Sequence, residues 1–257
     1  MITLAERILT PGSLTVLYQP IVRLEGTRVS LYALECLTRG PAESNAARAD
    51  VLFDYVRFKR LEPAVDRACC AAGLASAAQL PSVPRLSLNV HATTIGRDWE
   101  FSDFLHQAAV MNGVALNRLT LEVVEHSHYA GGPAFCRALD RLRELGLSIA
   151  LDDVGLGHSN YRRMLDARPE YLKIDRYLVC GASTDPHRRA VVESIATLAQ
   201  RIGARVIAEG IESDADLDIL RQSGIELAQG YLLARPMSGH ELEASGWLAD
   251  TGSHSAA

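Results

Sequence analysis

Positive charge is in short supply. Lys and Arg number 26 against 31 Asp and Glu, for a formal net charge of −5. That balance gives no electrostatic footprint for duplex nucleic acid or an anionic membrane. A small anionic ligand held by a few placed cations or metals stays open. Cysteine is equally sparse as a framework. The five residues Cys36, Cys69, Cys70, Cys136 and Cys180 are odd in number and show no CxxC or Cys/His ligand spacing. A disulfide scaffold is therefore excluded, and reduced, mostly buried thiols are expected. Long hydrophobic runs are missing, and no positively charged start leads into an apolar segment. The expectation is a cytoplasmic protein with no membrane partner.

What is present is an ordinary globular balance. The chain has 257 residues, 48% of them hydrophobic and 22% charged, enough for one sizeable core. Residues 1–249 are expected to form a single domain and 250–257 a tail without regular structure. Residues 2–10 have helical spacing and stop at Pro11-Gly12. Residues 14–24 read as a strand interrupted by Pro20, which suggests an edge or a bulge. A short turn at Gly26 leads to a second strand over 29–37, so the two should pair as a hairpin. Helices are expected over 49–59, 62–78, 99–112, 133–145, 159–166, 187–202, 213–222 and 239–249. Strands fall at 86–90, 119–124, 149–151, 171–174, 206–208 and 227–232. From residue 84 onward strands and helices alternate, and glycines stop several helices, which is the signature of βαβ units. Eight strands in a chain of this length point to an α/β, TIM-like (β/α)8 barrel with one antiparallel strand.

The chain is organised around Ile149–Asn160, reading IALDDVGLGHSN. An apolar strand end runs into two adjacent carboxylates, Asp152 and Asp153, and then a glycine-bearing loop. Two carboxylates side by side at low dielectric should not both ionise unless a cation neutralises them. Nearly every other strand also carries a polar residue near its C-terminal end: Glu35, Asn89, Glu122, Lys173, Glu209 and Gln229. In a barrel those ends converge on one mouth, where active sites lie. The oxygen-rich donor set suits Mg²⁺ or Mn²⁺ rather than zinc. Five carboxylates carry too much charge for one divalent ion and suit a pair roughly 3.5–4 Å apart, a spacing that serves in-line attack at phosphorus. Arg39 could hold a second phosphate through its planar fork.

These residues carry a family resemblance. Tyr18–Val22 reads YQPIV, Glu35–Arg39 reads ECLTR, and Asn89 follows. Glu122 and Glu125 form an ExxE pair, and Asp152–Gly155 reads DDVG. Lys173–Asp175 reads KID, Ala208–Glu212 reads AEGIE, and Gln229–Tyr231 reads QGY. In this order and spacing the chain resembles the EAL domain, the cyclic di-GMP phosphodiesterase family, along residues 2–245. The resemblance implies hydrolysis of cyclic di-GMP to linear 5′-pGpG with two Mg²⁺ or Mn²⁺ ions, with Ca²⁺ inhibitory. It implies that Glu35, Asn89, Glu122 and Asp152 hold one metal. Asp152, Asp153 and Glu209 hold the other, and the Glu209 position is open between metal ligand and general base. Lys173 and Gln229 would position the attacking water, Glu125 would brace the loop after the Asp pair, and Arg39, Gln19 and Leu37 would contact substrate. A homodimer is implied, and control by a separate sensor or regulator protein.

The chain departs from the family pattern in two places. Cys36 replaces the alanine of the EAL motif, one small side chain for another. The loop after the acids carries Val154, Leu156, His158 and Asn160 in variant places, a departure that bears on regulation more than on chemistry. Two other functions compete with the active phosphodiesterase: a domain that binds cyclic di-GMP or a protein without hydrolysis, and a two-metal hydrolase of another phosphodiester such as pGpG. Members of the first kind usually lack several of the acids or the lysine, and here all are present.

Overall fold

A computed structural model describes residues 2–82, 85–124, 132–155, 160–248 and 254–255. β1 (Thr15–Glu25) and β2 (Arg28–Arg39) form an antiparallel hairpin across Gly26, whose φ of 62° suits the turn. Six strands follow: β3 (Leu86–His91), β4 (Leu119–Val124), β5 (Ser148–Val154), β6 (Tyr171–Ile174), β7 (Arg205–Ala208) and β8 (Leu227–Ala228). From β2 to β8 each pairs parallel with the next, and β8 pairs antiparallel with β1. The ring is closed, and β1 is the one strand running against the rest. The expected barrel and its reversed strand are both present.

Pro20 does not end β1. It sits opposite Leu34, and the register with β2 shifts at the next step, between Ile21 and Val22. β8 pairs with β1 only at Val22 and Arg23, so the missing Pro20 N–H interrupts no ladder bond on that side. The expected bulge is there, but the strand is not an edge.

Eleven helices are formed by the described residues: α1 (Leu4–Leu9), α2 (Ala49–Lys59), α3 (Glu62–Ala77), α4 (Ala92–Arg97), α5 (Phe101–Met111), α6 (Pro133–Glu144), α7 (Asn160–Ala167), α8 (Arg176–Val179), α9 (Pro186–Ile202), α10 (Asp214–Gln222) and α11 (Gly239–Ala244). Their limits follow local chemistry. α9 starts where the Asp185 side chain accepts from the N–H groups of His187 and Arg188, with Pro186 in the first turn. It stops at Gly203 in a left-handed conformation. α4 and α8 escape a reading by periodicity because six and four residues are too few to show one. β8 is shorter than the expected 227–232, because after Gln229 the chain turns back, Leu233 and Ala234 both donating to the Gly230 carbonyl. Within the tail, His254–Ser255 pairs with Arg28 and Val29 as a two-residue strand, β9, rather than lacking regular structure. No described helix is long and apolar enough to cross a membrane.

The two faces of each strand do different work. On β3, Leu86, Leu88 and Val90 face outward into the main core shared with the helices, while Ser87 and Asn89 take the other face. Inside the barrel Ile21, Ala33, Ala150, Tyr171, Ile207 and Leu227 form an apolar plug. Two residues further toward the C-terminal mouth, on the same face, come Glu35, Asp152, Lys173, Glu209 and Gln229. On reversed β1 the order inverts, and Gln19 precedes Ile21. Gln19 and Glu35 are directly opposed in the hairpin. The polar layer is thus the next storey above the apolar plug.

Candidate active site

Lys173 sits at the centre of this layer, 1% exposed. Its Nζ lies 2.5 Å from Glu122 Oε2 and 2.6 Å from Glu209 Oε1. Glu35 Oε2 is 3.4 Å away and Asp152 Oδ1 3.7 Å. Asn89 Nδ2 donates to Glu35 Oε1 at 2.8 Å. Gln229 Nε2 donates to both Glu35 Oε2 (2.8 Å) and Gln19 Oε1 (3.0 Å), and Gln19 Nε2 in turn donates to the Ala234 carbonyl at 3.1 Å. The residues singled out from β1 to β8 are therefore one connected network.

Adjacent residues on a regular strand face opposite sides, so Asp152 and Asp153 should not meet the same centre. The structure resolves this with an irregularity. The β5–β6 register shifts between Leu151 and Val154, and Asp153 takes φ 54°, a left-handed conformation uncommon outside glycine. The Asp153 N–H donates to Asp152 Oδ1 at 3.0 Å. As a result Asp152, Asp153 and Glu209 each bring an oxygen within 4.8 Å of one another.

A second local device fixes Gln229. Its N–H donates to the Ala208 carbonyl, and its own carbonyl accepts from Ile211 N–H. At the following Gly230 an added Cβ would lie 2.1 Å from Ile211 N, so only glycine lets the two segments approach this closely.

The electrostatics follow from crowding. Burial pulls the Lys173 ammonium down, but Asp152, Glu122, Glu209 and Glu35 together hold it well above its ordinary value, so it stays charged. Burial, then the Glu35 charge, pushes Glu122 up to about 8. Burial likewise raises Glu209 well above the usual range, against the pull of Lys173. Burial and the Asp152 charge raise Asp153 to about 6. Glu35 is the exception: burial pushes it up, but Lys173, Asn89 and Gln229 outweigh that and hold it low. Five carboxylates facing one ammonium leave four formal negative charges in a largely buried layer. Such a set fits divalent cations with a preference for hard oxygen donors. Gln229 Oε1, buried and with no hydrogen-bond partner among the described residues, adds an acceptor to the same layer.

Other expected residues stand as follows. Leu37 and Arg39 lie beside Glu35 along a cavity of about 310 Å³ that opens off the carboxylate layer. Arg39 is half-buried, and its Nη1 donates to the Thr38 carbonyl at 3.2 Å. Glu125 and the variant loop positions Leu156 and His158 lie outside the described residues. The sequence reading missed Ser87, whose Oγ donates to Glu122 Oε1 at 2.5 Å. Its place two residues before Asn89, hence on the same face of the strand, was the available signal. It also missed Asp66 of α3, which is 1% exposed and accepts from His91.

The profile of the EAL domain family matches residues 3–236. A cyclic di-GMP phosphodiesterase of Pseudomonas aeruginosa is 36% identical over 167 residues, covering 64% of this chain and 27% of that protein. The chain thus spans about a quarter of that relative's length. BlrP1 of Klebsiella pneumoniae, solved as a calcium/cy-diGMP complex, is 26% identical with a TM-score of 0.78, covering 88% of this chain and 57% of that one. A manganese/cy-diGMP complex of the same protein has a TM-score of 0.76. The PaMucR phosphodiesterase in complex with c-di-GMP superposes with a TM-score of 0.81 at 22% identity, covering 93% of this chain and 97% of that one. At that identity the likeness shows the shared barrel fold.

Proposed function

We propose, on the premise that the chain belongs to the EAL domain family, that it is a cyclic di-GMP phosphodiesterase yielding linear 5′-pGpG. The observation that carries this reading is the ring of five carboxylates at the barrel mouth with one buried lysine at its centre. In our reading Glu35, Asn89, Glu122 and Asp152 hold one Mg²⁺ or Mn²⁺ ion, and Asp152, Asp153 and Glu209 hold a second. When bound, such a pair neutralises phosphate oxygens and acidifies water.

The reaction adds one water to a phosphorus and breaks its P–O3′ bond. The attacking water gives up a proton and the departing O3′ gains one. Lys173 is held charged, so it cannot act as the base. Its Nζ is a donor that orients the water or a phosphate oxygen. Gln229 is fixed by Gln19 and Glu35, and its Oε1 accepts a hydrogen bond from that water without shifting. Arg39 and Leu37 lie along the adjoining cavity and are assigned to the substrate. Glu209 is assigned to the ligand set, because its carboxylate groups with Asp152 and Asp153. Glu125 keeps its assignment as the brace of the loop.

Calcium takes more ligands at longer distances than magnesium and tolerates looser geometry. It is expected to occupy these oxygens and inhibit, with turnover at least about tenfold below that in Mg²⁺. The same reading extends to a cytoplasmic homodimer under a separate sensor or regulator. No observation favours the non-hydrolysing receptor, because the acids and the lysine that such a domain would dispense with form one bonded network. Incubation with cyclic di-GMP and chromatography of the product test the proposal. Release of pGpG in Mn²⁺ that stops on chelation supports it, and intact cyclic di-GMP under both conditions sinks it.

A further inference from the structure

The barrel interior has a second polar storey, at the end away from the acids. Side chains two apart share a face of a strand. Arg23 follows Ile21 of the apolar plug on reversed β1, Arg205 precedes Ile207 on β7, and Arg85 precedes Ser87 on β3. All three are thus aimed at the N-terminal end of the barrel, below the plug. Their contacts agree. The three guanidiniums gather on one ring, that of Tyr32, with Cζ at 5.1 Å (Arg23), 5.5 Å (Arg85) and 4.8 Å (Arg205) from its centroid. No two of them are then more than about 11 Å apart. Tyr32 is buried and held by a 2.5 Å hydroxyl contact with Tyr171 of the plug. From Arg205 to Glu209 is four residues of extended chain, roughly 13 Å, so the cluster is separate from the carboxylate layer.

Three like charges gathered this closely repel, and their protein partners are few. Arg205 Nη1 donates to the Tyr32 hydroxyl at 2.8 Å, and its Nη2 lies 3.3 Å from Glu226 Oε2. Arg85 Nη1 reaches the Asn117 carbonyl at 3.5 Å. Arg23 makes no hydrogen bond among the described residues, and its ion-pair partner Glu25 is 3.8 Å away. Glu25 and Glu226 are both exposed, and exposed ion pairs contribute little. Arg28, which opens β2, and Arg118, which precedes β4, add positive charge at the same end. Glu170, which precedes β6, is already taken by Arg143 at 2.8 Å. The side chains of Arg23 and Arg205 are 41% and 35% exposed, so a solute can reach them. In a chain of net charge −5, a local excess of cations with unfilled donors is suited to an anion.

We propose that Arg23, Arg85 and Arg205 form a binding site for a small phosphate-bearing anion at the end of the barrel away from the acids. A guanidinium is a planar fork that pairs with phosphate through two parallel N–H···O bonds. A carboxylate brings two oxygens and a single charge, which one fork satisfies. A phosphate dianion brings three strong acceptor oxygens and up to about two charges, which match three converging forks. Glu25 and Glu226 offset part of the positive charge, so the affinity belongs in the range of about 1 mM rather than of tight cofactor binding. The site goes beyond the phosphodiesterase reading and does not depend on it.

Thermal melts of the full chain in chelator test this, with ionic strength held constant by chloride. Chelator keeps phosphate from binding at the mouth through a metal, and the carboxylates there repel it. The probes are inorganic phosphate and ribose 5-phosphate, with ribose as the control. At about 10 mM, a ligand with a dissociation constant of about 1 mM should raise the wild-type Tm by roughly 3–6 °C. Ribose should leave it unchanged. A chain carrying both Arg23→Gln and Arg85→Gln should keep no more than about 1–2 °C of that rise, a loss of affinity of tenfold or more. A rise with both phosphate compounds supports a site that reads the phosphate group alone. A rise with ribose 5-phosphate only supports a site for a phosphomonoester. A rise that the double variant keeps in full is a general salt effect and overturns the proposal. A wild-type Tm that neither compound moves also overturns it. If the double variant does not fold, Arg85→Gln alone takes its place, and the same two outcomes decide.

Discussion

Asp152→Asn should make the metal-free chain more stable while abolishing its response to metal. Asp153 and Glu209 each bring an oxygen within 4.8 Å of Asp152. At an effective dielectric of about 20, each such pair of charges repels by roughly 3.5 kcal/mol. Lys173 Nζ, 3.7 Å from Asp152, repays about 4.5 kcal/mol on the same scale. The difference favours removing the charge by about 2–3 kcal/mol. Protonation of Glu209, whose carboxyl is held well above the usual range, would cancel one repulsion and with it the gain, so the melt is run at alkaline pH, where Glu209 and Asp153, pushed up to about 6, are both ionised. There, for a domain of this size, about 2–3 kcal/mol is a rise in Tm of roughly 4–12 °C. Asparagine keeps an oxygen for the Asp153 N–H, so no hydrogen bond is lost. The assay is a thermal melt of wild type and variant, in chelator and in Mn²⁺. In chelator the variant melts higher, and Mn²⁺ raises the wild type alone. A variant that melts at or below the wild type in chelator and gains as much from Mn²⁺ would refute both the crowding argument and the ligand assignment. Its turnover should also fall by orders of magnitude while the fold persists.

Lys173→Met removes the one ammonium that the described carboxylates share, and should cost about 3–5 kcal/mol in chelator by urea unfolding, with Mn²⁺ restoring part of the loss. An unchanged urea midpoint would show that Lys173 does not offset the charge of these acids. Away from the site, burial pushes the Asp216 carboxyl up, but hydrogen bonds from Ser183 N–H, Gly181 N–H and Ser213 outweigh it and hold the group below its ordinary value. Its contribution is therefore present above the unfolded carboxyl range near pH 4 and is lost as pH falls through the lower folded value. Asp216→Asn should cost about 2 kcal/mol at pH 7 and less at pH 3. A gap between the two melting curves that stays constant over that range would contradict the linkage.

The barrel was legible because its units are punctuated. Short apolar strands alternate with helices that glycines such as Gly203 close, and the brief turn at Gly26 announces the reversed strand. The site was legible for a related reason: a polar residue at the end of an apolar strand is costly, and seven strands carry one. What escaped was what strand periodicity does not encode. The meeting of Asp152 and Asp153 depends on a register shift and a left-handed residue, and neither is written in a pair of adjacent aspartates. Gln19 precedes its apolar neighbour on the reversed strand, so the C-terminal-end rule passes over it, and it entered through family resemblance alone. The Asp66–His91 pair joins α3 to the end of β3 across 25 positions, a tertiary contact with no local signature.

If the carboxylate ring hydrolyses cyclic di-GMP with divalent metal, the purified chain should form product from it. Chromatography of a reaction in Mg²⁺ or Mn²⁺ should show cyclic di-GMP converted to pGpG, with conversion abolished by chelator and by Asp152→Asn. Cyclic di-GMP left intact by folded wild-type protein in either metal, or pGpG formed equally well by folded Asp152→Asn, would contradict the account.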